Sequence, residues 1–248
     1  MPKFFGRKPV LELLKSNQDI LKIYFQRGVK GDVIDELKGI VIRQKLPWQE
    51  LHQDKFKKLA GEGNHQGVVA LTPEKRLIDE DECLELLSKR QDDVIILLDS
   101  IQDTHNLGAI LRTAECAGVK MVITTKFNSA PLNETVSKVS AGALNHLQVC
   151  AVRNLAEYIK KLKEIGYWIG ASSLDESRDY SELDYSGKIA FIMGNEEKGV
   201  RRLLLQMSDF RVKIPMRGKI QSLNVSVATG ILLFEIMKNK SAGRQRTD

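Results

Sequence analysis

Apolar positions recur along this chain with two spacings, and the spacings predict its elements. Val10, Leu13 and Leu14 share one face of a helix over Pro9–Lys15. Ile20–Phe25 alternates and is rich in β-formers, which predicts a strand. Val33, Ile34, Leu37, Val41 and Ile42 repeat at helical intervals across a second helix, Asp32–Lys45. Trp48–Leu51 and Gly67–Leu71 read as short strands. Residues 1–72 are therefore expected to form a small α/β unit. Residues 73–92 read as a linker that carries an amphipathic helix over Glu80–Arg90, around Leu84 and Leu87.

From residue 93 to residue 248 the pattern is different. Val94–Leu98, VIILL, is a continuous apolar run bounded by charges, as in a central strand buried on both faces. Further strands are expected at Met121–Thr124, Leu147–Cys150, Trp168–Ala171, Ile189–Met193 and Phe210–Ile214. Helices are expected between them at Leu107–Ala117, Asn133–Ser140, Leu155–Ile165 and Val200–Gln206. Strand and helix alternate, so the fold class is α/β with a mostly parallel sheet covered on both faces. Ligands of such sheets bind at the carboxyl ends of the strands.

Three strand-to-helix junctions carry chemistry. In Ile214–Glu235, Ser222 and Asn224 sit at helix-cap positions before an apolar run. That run is apolar on opposite faces, with Val225, Ala228, Leu232, Leu233 and Ile236 on one and Val227, Ile231 and Phe234 on the other. Apolar character all round predicts a buried helix with its positive end aimed at an anionic or polar ligand. In Asp99–Arg112, Asn106 lies at or near a helix cap, and Arg112 leans back over Gly108 and Ala109 toward it. A guanidinium there suits phosphate or carboxylate, although an ion pair with Glu115 one turn on would also occupy it. In Met193–Gly199, two glycines admit close backbone approach and Glu196 and Glu197 supply carboxylates. GEGNHQG at Gly61–Gly67 spaces its glycines wrongly for a dinucleotide fingerprint and reads as a tight loop.

Charge adds a partner. The net +6 is uneven: +5 over residues 1–72, −2 over 73–237 and +3 over 238–248. A basic module on a near-neutral body suits a polyanion. The longest strongly apolar run is Val94–Leu98, so no membrane span is expected, and the basic start leads into no apolar signal core. Cys83, Cys116 and Cys150 are widely spaced, which predicts neither a zinc site nor disulfides and fits the cytoplasm.

NLGAILRTAECAGV, IMGNEEKGV and IPMRGKIQSLNVSVATGILLFE resemble, in order, the three signature motifs of the SpoU (TrmH) branch of the SPOUT RNA methyltransferases, across about residues 94–237. FGRKPVLELL and HQGVVAL resemble the family's ribosomal-protein-like RNA-binding domain, a pairing similar to the bacterial 23S rRNA guanosine-2′-O-methyltransferases. The resemblance implies S-adenosylmethionine bound in a C-terminal trefoil knot, no metal, and a homodimer. It places cofactor contacts at Met193, Gly194, Asn195, Ile214, Met216, Ser222 and Leu223, largely through backbone. It ties catalysis to Asn106, Arg112, Glu196, Ser222 and Asn224. Lys198 departs from the motif, where relatives often carry an acid or a small residue. The implied reaction methylates a ribose 2′-hydroxyl in RNA, a guanosine of 23S rRNA first. A tRNA ribose target, or a non-catalytic ribosome-assembly factor of the same fold, is the alternative.

Overall fold

A computed structural model describes residues 3–15, 20–61, 64–73, 77–175 and 177–244, leaving aside the side chains of Glu134, Asn145 and residues 242–244. The chain divides into two compact units, Met1–Lys75 and Arg76–Asp248.

The first unit is a four-stranded sheet with helices on both faces. Its elements are β1 (Lys3–Phe5), α1 (Arg7–Lys15), β2 (Lys22–Gln26), α2 (Asp32–Arg43), β3 (Trp48–Leu51), α3 (Gln53–Ala60) and β4 (Val68–Leu71). The order is β1-β4-β2-β3, with β2 and β3 parallel and the other pairs antiparallel. Helices α1 and α2 bury Val10, Leu13, Leu14, Ile34, Leu37 and Val41 against Ile23, Phe25, Val68 and Ala70. Helix α3 buries Phe56 and Ala60 against Val69 on the other face. Neither β1 nor α3 was expected. In the described part of the Gly61–Gly67 loop, Gly61, Gln66 and Gly67 take positive φ. Arg7 donates from its backbone N–H to Gln66 Oε1 at 3.0 Å, and from Nε to the Gln66 carbonyl at 3.2 Å. Glu62 and Gly63 lie outside the described residues.

The second unit is a seven-stranded, all-parallel sheet in the order β7-β6-β5-β10-β8-β11-β9. It contains α4 (Glu80–Ser88), β5 (Val94–Leu98), α5 (Thr104–Cys116), β6 (Met121–Thr125), α6 (Glu134–Val139), β7 (Gln148–Val152), α7 (Leu155–Glu164), β8 (Trp168–Ser172), β9 (Arg178–Asp179), β10 (Ile189–Met193), α8 (Arg202–Met207), β11 (Phe210–Lys213) and α9 (Val225–Arg244). Strand side chains alternate between two faces. Hence Val94, Ile96 and Leu98 pack under α5 and α9, while Ile95 and Leu97 pack under α4, α7 and α8. The stretch read as a linker thus contributes α4, whose Cys83 and Leu87 are buried in this core.

Helix α9 differs from its expectation. Val225, Thr229, Leu232, Leu233 and Ile236 form one buried stripe, but Val227 and Phe234 on the opposite face are 51% and 54% exposed. Thr229 fits the stripe because its hydroxyl donates back to the Val225 carbonyl at 2.7 Å. The helix also runs further than its motif, to Arg244. Lys240, read as part of a charged tail, is buried with its ammonium on Asp92 and the Gly187 carbonyl. Residues 245–248 lie outside the described residues.

Candidate functional site

Three loops leave the carboxyl ends of β5, β10 and β11, and one amide joins them. Strand β5 exits through Asp99 to α5. Asp103 caps that helix, its carboxylate accepting from the Asn106 N–H at 2.7 Å. Asn106 is therefore the third helical residue rather than the cap. Its side chain points off the helix start, where Nδ2 donates to Glu196 Oε1 at 2.5 Å. Its Oδ1 accepts from Asn224 Nδ2 at 2.9 Å. Asn224 in turn begins α9, its Oδ1 accepting from the Ser226 N–H at 2.9 Å and the Ser226 hydroxyl at 2.6 Å. A continuous row, Asn224 to Asn106 to Glu196, thus spans the three junctions.

The loop that carries Glu196 is closed by its own hydrogen bonds. Asn195 and Gly199 exchange backbone hydrogen bonds at 3.1 and 2.9 Å, closing it like a small hairpin. Asn195 Oδ1 accepts from the N–H groups of Glu197 and Lys198, and its Nδ2 donates to the Ser100 carbonyl at 3.0 Å. Gly194 is forced by this closure: a Cβ there would lie 2.2 Å from the Gly199 carbonyl carbon and the Val200 nitrogen. Met193 is buried beneath, and its carbonyl accepts from the Asp99 N–H at 2.9 Å.

Asp99 is the residue that pattern reading missed. It is fully buried, and it accepts from the backbone N–H of Arg201 at 2.9 Å and from Arg201 Nε at 2.7 Å. A buried carboxylate needs such partners. Here they fasten the end of the Glu196 loop to the end of β5. The visible signal was an acid directly after a wholly apolar strand.

Arg112 lies on the exposed side of α5 and makes no hydrogen bond or ion pair with any described residue, Glu115 included. Its guanidinium is available to a ligand. On the inner side of the same helix, Gly108 faces α6 so closely that a Cβ would sit 2.7 Å from Val139 Cβ.

The third loop is open. Ser222 is exposed and bonded to no described residue, Leu223 is 38% exposed, and Ile214 and Met216 are half-buried. Residues 216–223 make no backbone–backbone hydrogen bond among the described residues. Their N–H and C=O groups are free to recognise a ligand. A cavity of about 1020 Å³ lies elsewhere, at the amino-terminal edge of the sheet, lined by Trp168, Arg178, Asp184 and Arg211 among others, and holds none of these residues. Among the described residues no cluster of His, Cys, Asp or Glu could hold a metal ion, and no helix is long and apolar enough to cross a membrane.

The fold matches an AdoMet-bound rRNA methyltransferase of Sinorhizobium meliloti with a TM-score of 0.77, at 24% identity, covering 95% of this chain and 86% of that one. It matches equally the SpoU methyltransferase AviRb of Streptomyces viridochromogenes in complex with AdoMet, with a TM-score of 0.77 at 20% identity, covering 97% and 91%. The architecture is that of the SPOUT methyltransferases. Residues 93–234 match the SpoU rRNA methylase family, and residues 4–77 match the RNA 2′-O ribose methyltransferase substrate-binding family. A TrmH family tRNA/rRNA methyltransferase of Staphylococcus haemolyticus is 37% identical over 236 residues, covering 95% of this chain and 94% of its own length. The chain belongs to the SpoU rRNA methylase family, the RNA methyltransferases of the TrmH/SpoU type.

Proposed function

We propose that this chain transfers a methyl group from S-adenosylmethionine to a ribose 2′-hydroxyl of RNA, with a guanosine of 23S rRNA as the expected target. The observation that carries the reading is the row Asn224–Asn106–Glu196, which gathers the three motif loops into one place. The cofactor fits the open loop. Adenine needs hydrogen-bond donors and acceptors together, and the unpaired peptide groups of residues 216–223 offer both. When bound, S-adenosylmethionine supplies a methyl group already activated on a sulfonium.

The chain's own residues supply position and charge. Arg112 presents a fork of N–H donors that matches a phosphate, and it holds the RNA strand while donating toward the ribose oxygen. As a guanidinium it offers no lone pair, so the hydroxyl proton passes to solvent water as the oxygen gains the methyl group. Glu196, oriented by Asn106, and Asn224, oriented by the α9 cap, fix the geometry of attack. Met193, Gly194 and Asn195 set the loop wall on the cofactor side, and Ile214, Met216, Ser222 and Leu223 line the other.

The same proposal includes a trefoil knot in the C-terminal part, a cytoplasmic location and a homodimer. The apolar face of α9 bearing Val227 and Phe234, which begins beside Asn224, is the surface that a second copy would cover.

Incubation with methyl-labelled S-adenosylmethionine and unmodified 23S rRNA transcript or tRNA tests the reading, because the relatives' names span both RNAs. Label in rRNA at a ribose is the expected result. Label only in tRNA moves the target, and no label in either refutes the enzyme. Arg112→Ala should abolish transfer while cofactor binding stays measurable.

A further inference from the structure

We propose that Phe127 is a stacking platform for an unpaired base of the RNA substrate, next to the methylation site. The side chain is 69% exposed and belongs to none of the buried cores. A phenylalanine left in water gives the fold little, and a lone exposed one is unremarkable. What distinguishes Phe127 is how firmly it is held, where it stands and what flanks it.

The loop from Lys126 to Ala130 leaves the carboxyl end of β6, the neighbour of β5. It is pinned on both sides. The Lys126 N–H donates to the Val152 carbonyl at the end of β7, at 2.9 Å, and the Ala130 N–H donates to the Ile101 carbonyl at 2.8 Å. Ile101 is in the loop that leads into the Asp103 cap and Asn106. Within the loop, the Thr125 hydroxyl donates to the Phe127 carbonyl at 2.8 Å and lies 2.6 Å from the Ser129 hydroxyl. Asn128 takes a left-handed φ of 58° to complete the turn. The backbone under the ring is thus fixed, and the ring faces out on the same sheet edge as the three motif loops.

Cations flank it. Lys126 is adjacent, with Nζ 3.9 Å from Glu80 Oε1, a loose and solvent-exposed pair. Arg153, at the end of neighbouring β7, is exposed, and its side chain bonds to no described residue. Glu80 lies beside these two cations, and it also accepts from the Arg153 backbone N–H at 2.9 Å. An exposed aromatic face on a pinned loop, with a lysine beside it in the chain and an arginine at the end of the neighbouring strand, is the chemistry that receives single-stranded nucleic acid: the ring stacks a base while the cations meet phosphates.

The inference rests on the RNA-binding part of the proposed function, so its test reads RNA affinity apart from methyl transfer. The dissociation constant of unmodified 23S rRNA transcript would be measured for the wild-type chain, Phe127→Ala and Phe127→Trp, with cofactor affinity and melting temperature as controls. Phe127→Ala should weaken RNA binding by about 5- to 150-fold. Phe127→Trp should bind within about twofold of wild type, since any large aromatic face stacks. Unchanged affinity in Phe127→Ala overturns the inference. So does conversion of a wild-type dimer to a monomer by that variant, which would make the ring a subunit contact. A wild-type chain that binds the transcript but methylates neither rRNA nor tRNA would refute the proposed activity and leave the Phe127 comparison decisive.

Discussion

Asn106 and Glu196, 90 positions apart in the chain, share a 2.5 Å hydrogen bond, and Asn106 spends the other end of the same amide on Asn224, 118 positions away. One side chain therefore registers the relative position of three loops. Asn106→Ala should lower methyl transfer by about 100-fold, the scale of a misplaced reacting group. Because Glu196 and Asn224 are exposed and Asn106 is only half-buried, the melting temperature should move little. A variant that loses its fold along with its activity would contradict this assignment.

Gly194→Ala should be far worse than its size implies. The added methyl would meet backbone atoms of Gly199 and Val200 at 2.2 Å, and backbone cannot rotate away as a side chain can. The Asn195–Gly199 closure must open, at a cost of about 1–3 kcal/mol if it behaves like other overpacked sites. Cofactor affinity measured by calorimetry should fall sharply. Normal affinity would show that the loop wall tolerates displacement.

Gly108 tests the spacing of α5 and α6. Alanine in place of a helical glycine gains about 1 kcal/mol in propensity. The clash with Val139 Cβ at 2.7 Å costs about 1–3 kcal/mol, so the net change should destabilise. In a Val139→Gly background that atom is gone, leaving the Val136 carbonyl at 3.2 Å, and the same substitution should become neutral or stabilising. Thermal unfolding of the four chains in this cycle decides it, and absence of the sign change would exclude direct contact as the cause.

The exposed face of α9 makes a prediction about assembly. Val227→Glu combined with Phe234→Glu should convert a dimer into a monomer in sedimentation, because two buried carboxylates without partners oppose association. If the doubly substituted chain still sediments as a dimer, the subunits meet through another surface.

Much of the architecture was legible because burial on both faces of a parallel sheet leaves an unmistakable pattern. VIILL, MVITT and IAFIM could hardly sit anywhere but in the centre. What escaped was short or locally ambiguous. Strand β1 has three residues, and α3 buries only Phe56 and Ala60, too few to establish a helical period. The start of α5 was placed late because Thr104, His105 and Asn106 are all polar, which hides the Asp103 cap among them. Two apolar faces on α9 gave an expectation of full burial that the single chain does not meet. Lys240 read as solvent-facing charge because nothing local reveals Asp92, 148 positions away, as its partner. The residues of the motif row were nameable one at a time. Their contact depends on the strand order, which places β10 beside β5, and no spacing along the chain encodes that.

The buried ammonium of Lys240 has a consequence for the distant Asn224. Asp92 and Gly187 stand just before β5 and β10, at the edge of the sheet opposite the motif loops, so α9 is a strut anchored there at its far end and at its near end by Asn224 on Asn106. From Val225 to Lys240 the strut measures about 22 Å, roughly a third more than the ~16 Å of a five-residue strand. Its length and anchorage decide how far Asn224 projects past the strand tips. The basic terminus, which looks dispensable, is therefore the part that sets the height of the cap above the sheet.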